Sequence, residues 1–178
     1  MKKKIIVASG LISILIVALI VAVNFDKGTP SNNETQDIKQ LVHDYSVGNI
    51  NNEAASITAD QLIVTDSKRN ESTYDLPEDE FFVSIAPYFT QTHPCAFHNL
   101  TGCQGELANE EFSVYIEDMD GNVVIDETMQ SQANGFIDLW LPRDKTYQIT
   151  IANNGKEQKS QFSTFKSDNT CITTIQLT

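Results

Sequence analysis

The stretch "EFSVYIEDMDGNVVIDETM", Glu111 to Met129, decides the fold class. Phe112, Val114 and Ile116 fall on one face at the period of two that marks a half-buried strand, "DMDGN" is turn chemistry, and "NVVIDETM" follows as a return strand. The same pattern continues downstream. "GFIDLWLP" alternates Phe136, Asp138 and Trp140 against Ile137, Leu139 and Leu141, "YQITIA" leads into the Asn-Gly turn "NNGK", and "SQFSTF" and "TCITTIQL" complete the series. About six short strands with no helix between them predict an antiparallel β-sandwich. Its last strand carries Cys171, and a terminal strand can return beside segments far away in sequence. "EDMDGN" also invites a calcium-loop reading, but it lacks the spaced oxygen ligands and closing glutamate, so it is a turn.

Working towards the N-terminus, "FFVSIAPYF" is an apolar run broken at Pro87, which predicts a strand over Phe81 to Ala86. Gln61 to Thr65 and Thr73 to Leu76 flank the turn-rich "DSKRNES" and read as a hairpin. From Asp37, the residues Ile38, Leu41, Val42 and Tyr45 recur at helical spacing, giving a short amphipathic helix that ends near Gly48, with His43 off the stripe and on the surface. The expected class is therefore α+β. A small helix-plus-strands unit, 37–91, precedes a Cys/His loop and β-sandwich, 92–178.

Residues 25–36, "FDKGTPSNNETQ", read as a polar tether, and residues 1–24 as an export signal. Lys2, Lys3 and Lys4 precede an uncharged apolar run from Ile5, long enough at about 1.5 Å per residue to cross a bilayer core of about 30 Å. The cleavage site is poor, so an uncleaved membrane anchor is favoured over a removed signal. The basic end stays in the cytoplasm and the body outside it in either case. Without those three lysines the body keeps nine of the 12 basic residues against 24 acidic ones, a formal charge of −15. Such a body repels phosphate backbones, which excludes nucleic acid as a partner. Neighbouring carboxylates such as Glu78, Asp79 and Glu80, or Glu110 and Glu111, are better explained as solvated faces than as a site.

Chemistry concentrates in "THPCAFHNLTGCQGE", Thr92 to Glu106, which holds Cys95, Cys103, His93 and His98; the rest of the chain adds only His43 and Cys171. An odd count of three cysteines in an exported protein leaves at least one thiol outside any intramolecular disulfide. Three readings stay open at this level. A structural disulfide with an inert spare cysteine is one. A soft-metal site is another, since thiolates suit Cu(I) and Zn(II), although seven residues between Cys95 and Cys103 are too many for the usual zinc spacing. A thiolate activated by His93 or His98 is the third, but no orienting residue or oxyanion hole is identifiable for a hydrolase.

"HPCAFHNLTGCQGEL", "NGFIDLWLPRDKTYQITI" and "STFKSDNTCITTIQL", in that order, resemble the CueP family of extracytoplasmic copper-binding proteins. The resemblance implies a copper-resistance protein of the bacterial envelope that holds Cu(I) through Cys95, Cys103 and Cys171, with His93 and His98 matching histidines of the family's motif. It also implies reduction of Cu(II) as substrate, a homodimer formed through the N-terminal part, and a link to thiol oxidoreductases. The long apolar anchor and tether depart from the family's clearly cleavable signal.

Overall fold

The computed structural model describes residues 32–178; the expected membrane anchor lies outside them, as does most of the tether. Among the described residues no helix is long and apolar enough to cross a membrane. The order of elements is α1 (Asn32–Ser46), β1 (Ala54–Ile57), β2 (Gln61–Thr65), β3 (Glu71–Asp75), β4 (Glu80–Ile85), β5 (His98–Asn99), β6 (Glu111–Asp118), β7 (Val123–Gln130), β8 (Ile137–Pro142), β9 (Thr146–Asn153), β10 (Lys156–Ser163) and β11 (Cys171–Ile172). Among the described residues, one helix and mostly antiparallel strands are consistent with the expected α+β class.

Helix α1 starts earlier than expected, so the last residues of the supposed tether are helical. Asn32 to Gln36 contain no proline or glycine to stop the helix, and Glu34 and Gln36 are good helix formers. Val42 and Tyr45 are buried and His43 is exposed, as the periodicity requires. Gly48 ends the helix with φ +79, a conformation that costs glycine little.

The strands form three sheets, ordered β3-β2-β1-β5, β10-β9-β6-β7 and β11-β4-β8. The last of these is the central layer. On one face Phe81, Val83 and Ile85 of β4 and Ile137, Leu139 and Leu141 of β8 pack against Phe112, Val114 and Ile116 of β6 and Tyr147, Ile149 and Ile151 of β9. On the other face Phe82 and Trp140 pack against Val42, Tyr45, Ala55, Ile57, Leu62 and Val64 of the helix and first sheet. Strand β4 is consequently buried at every position after Glu80, which is why its sequence is a continuous apolar run rather than an alternating one. Each large side chain so buried contributes about 1.5–3 kcal/mol relative to exposure.

Two expectations need correction. Strand β11 runs parallel to β4, with Cys171 opposite Ser84 and Ile172 opposite Ile85, so the antiparallel pattern fails at the strand carrying the third cysteine. The long strand expected over "TCITTIQL" is also only Cys171–Ile172, followed by an isolated parallel bridge between Tyr88 and Gln176. Strand β1 was not expected at all, because Ala54, Ala55 and Ser56 carry little strand preference; it exists because Ala55 and Ile57 are buried beneath the helix. Pairing of β4 with β8 and β11, and of β1 with β5, ties residues 37–91 to residues 92–178 through main-chain ladders.

Candidate metal centre

The site is assembled from three chain segments, two belonging to the central sheet at β4 and β11 and one carried by β5 of the first sheet. The first leaves β4 at Ala86, whose N–H donates to Ile172 O at 2.9 Å, and runs past Pro87 to His93 and Cys95. It is fastened at two points. The Glu106 carboxylate accepts from the N–H groups of Phe89 (2.7 Å), Thr90 (2.9 Å) and Gln91 (3.2 Å) and from the Thr90 hydroxyl. The Thr92 hydroxyl donates to Thr173 O at 2.6 Å. The loop bearing Cys95 is thus held to residues just beyond Cys103 and just beyond Cys171.

The second segment carries His98 on β5 and Cys103 on the turn after it. Cys103 N–H donates to Asn99 O at 2.9 Å and Gly105 N–H to Asn134 O at 2.7 Å. Gly105 and Gly135 cross so closely that a Cβ on Gly135 would lie 2.7 Å from Gly105 O, and Gly135 has φ +81. This crossing seats Phe136, fully buried, against the His98 ring at 4.4 Å between centroids. The third segment is β11. Thr170 O accepts Ser84 N–H at 2.8 Å, and Cys171 N–H donates to Ala96 O at 3.3 Å, so Cys171 enters from the sheet side.

The outcome is a compact cluster. Cys95, His98, Cys103 and Cys171 each offer one donor atom, and these atoms lie within 4.8 Å of one another, so the group could hold a metal ion. Cys95 Sγ and Cys103 Sγ are 3.6 Å apart, and Cys171 Sγ is 3.6 Å from His98 Nδ1. Two sulfurs that share a metal at about 2.3 Å each are separated by at most about 4.6 Å, so the closest sulfur pair suits a common ion. Burial is graded: Cys171 and His98 are 2% and 0% exposed, whereas Cys95 and Cys103 are half-buried at the mouth. All three cysteines are free thiols. His93 is not one of these four, and its ring lies edge-on to Phe136 with centroids 6.3 Å apart.

Protonation is uneven among the sulfurs. A hydrogen bond from Cys171, opposed by burial and helped by His98, His93 and the Asn99 N–H, holds the Cys103 thiol far below its ordinary range. Its hydrogen bond to Cys103, together with burial, pushes Cys171 far above that range; burial above all raises Cys95. The direction of these shifts favours negative charge on Cys103 over its two neighbours. His98 Nε2 is buried without a hydrogen-bond partner.

Sequence reading grouped His93, Cys95, His98 and Cys103 in one loop and left open whether Cys171 reaches it; the structure brings Cys171 to Cys95, His98 and Cys103 and leaves His93 out of that group. Sequence reading missed Glu106, Phe136 and Thr170, whose roles depend on which segments meet rather than on any spacing.

Three thiols and one imidazole converge inside a mostly β protein as a cluster of soft donors that could hold a metal ion. The family described as periplasmic copper-binding protein CueP matches residues 38–176. The crystal structure of S.CueP is similar to this chain at 36% identity with a TM-score of 0.75, over 79% of this chain and 88% of that one. The chain belongs to the CueP family. Membership in a periplasmic family supports the extracytoplasmic placement expected from the N-terminal signal. A second solved structure, the Bacillus anthracis TIE protein, has 16% identity and a TM-score of 0.35 over 70% of this chain and 30% of that one, too remote to carry an argument. No curated protein matches the chain.

Proposed function

We propose that this protein sequesters Cu(I) in the cell envelope through Cys95, Cys103 and Cys171, with His98 as the fourth donor, and so contributes to copper resistance. The observation that carries the reading is the arrival of Cys171, from the last strand, within 3.6 Å of His98. A disulfide loop of Cys95 and Cys103 has no need of that third sulfur. Cu(I) has a filled shell and is satisfied by two to four soft donors in a site largely closed to water. His93, which lies near Phe136 and acts on Cys103, serves as an entry donor rather than as part of the closed set.

The same sulfurs support reduction of Cu(II). Two cysteine sulfurs give up two electrons to two Cu(II) ions, yielding two Cu(I), one disulfide and whatever protons the sulfurs carried. Cys95 and Cys103, close together at the mouth, are the pair that cycles, and Cys171 remains on the metal. A thiol oxidoreductase then regenerates the thiols, and the helix-plus-strands unit supplies a dimer contact. The apolar N-terminus tethers the body to the membrane.

Competition against a Cu(I) chelator tests the binding, and a colorimetric Cu(I) reporter tests the reduction. Reduced protein given Cu(II) is expected to yield Cu(I), with Cys95→Ser and Cys103→Ser abolishing the yield. Equal Cu(I) production by a triple-serine variant sinks the reductive reading. One titratable thiol and no Cu(I) affinity would instead support an interaction module held by a structural disulfide. Sustained turnover under a thiol reductant, beyond a fixed metal count per chain, would make copper substrate rather than cargo.

A further inference from the structure

We infer that Thr170 is the positioning residue that joins the two halves of the metal centre, an inference that rests on His98 being the fourth donor. Its side chain is fully buried. The hydroxyl accepts the His98 N–H at 3.0 Å and donates to Ile57 O at 2.7 Å. Ile57 and His98 face each other across β1 and β5, so the hydroxyl is inserted between an N–H and a C=O of paired residues. The next residue is Cys171, and Thr170 O accepts Ser84 N–H from β4. One residue therefore fastens β1, β4 and β5 to the strand that brings the third sulfur.

Histidine ligands usually fix their ring by donating the second nitrogen to a carboxylate or carbonyl. Here that route is absent, because His98 Nε2 has no partner. What orients the imidazole is its backbone anchor, made by Thr170, together with contact with Phe136 at 4.4 Å and Phe82 at 6.4 Å. A hydroxyl in the strand that carries one donor thus sets the ring that carries another.

The test compares Thr170→Val, which keeps shape and removes the hydroxyl, with Thr170→Ser, which keeps the hydroxyl. In metal-free protein, amide exchange at His98 and alkylation of Cys171 are expected to speed up by about tenfold or more in the valine variant, the size of a lost buried hydrogen bond. Exchange at Ile149 and Ile151 in β9 should not change, and the serine variant should behave as the native chain. With Cu(I) bound, X-ray absorption should show the imidazole nitrogen contribution diminished in the valine variant, and Cu(I) affinity lowered by about 10–100-fold. Exchange rising equally in β9 and β5, or native rates at His98 and Cys171, overturns the inference. If the native chain fails to bind Cu(I), the functional reading falls, while the metal-free arm still decides for or against Thr170.

Discussion

In the β10-β9-β6-β7 sheet, β6 and β7 are joined by Met119–Asn122 and β9 and β10 by Asn154 and Gly155, whereas the β11-β4-β8 sheet gathers residues 171–172, 80–85 and 137–142. The first sheet is built largely from hairpins that local turn chemistry dictates. The second is held by ladders between segments distant in sequence, and its partners are chosen by burial. The difference teaches where the candidate site lies: the outer sheet is a wall built largely of local hairpins, and the Cys/His cluster sits where segments distant in sequence meet.

The sharpest way to break this comparison is to remove an equal volume from each region. Phe112, in β6, and Phe136, beside His98, are both fully buried. Phe112→Ala and Phe136→Ala are each expected to cost about 3–5 kcal/mol by urea denaturation. Only Phe136→Ala should also weaken Cu(I) binding in the folded protein, since it alone leaves an imidazole ring unsupported. Equal loss of Cu(I) affinity in both variants would show that the wall and the site are not separable.

A smaller difference is expected at two glycines. Gly121 closes the β6–β7 turn at φ +82 with nothing within 4 Å of an added Cβ, whereas Gly135, at φ +81, has Gly105 backbone atoms within 2.8 Å. Gly121→Ala should cost about 1–2 kcal/mol, the ordinary penalty of the left-handed conformation. Gly135→Ala should exceed it, because backbone must also move, and should accelerate alkylation of Cys103. Comparable thermal stability for the two variants would dissolve the contrast.

The smallest effect is in acid. Four hydrogen bonds, chief among them that from the Thr90 hydroxyl, hold Glu106 down from 4.5 to about 2. Asn122, through its side chain and N–H, holds Asp118 in the hairpin turn down from 3.8 to about 2. Both native values are depressed, so each carboxylate's stabilising effect is complete above its unfolded value and is lost as pH falls towards about 2. Glu106→Gln should flatten the acid limb of stability and uncouple the Thr90 and Gln91 amide shifts from pH; Asp118→Asn should do the same at Asp120 and Asn122. Titrating Thr90 and Gln91 shifts in Glu106→Gln would refute the latch.

The same contrast governs what was legible in the sequence. Alternation at Phe112, Val114 and Ile116 and the Asn-Gly turn at Asn154 and Gly155 specify a hairpin sheet because partner and turn are neighbours. Four of the five donor candidates, His93, Cys95, His98 and Cys103, stand out as well, since cysteine and histidine are rare here and these are clustered; Cys171 lies 68 residues beyond Cys103 and entered only through the last strand and the family resemblance. Hidden were the parallel course of β11, the two-faced burial of β4 and the strand at Ala54–Ile57. Periodicity reports which face of a segment is buried, not what buries it. Thr170 and Glu106 carried no signal for the same reason: a threonine and a glutamate are unremarkable until the chain brings an N–H to each.

The third sulfur arrives with the final strand, and that gives the order of events in export a chemical meaning. A chain still threading through the membrane can present Cys95 and Cys103 but not the closed cluster, because β4, β5 and β11 must first be side by side. Under the proposed function, copper capture follows completed folding, because the four donors meet only in the folded chain.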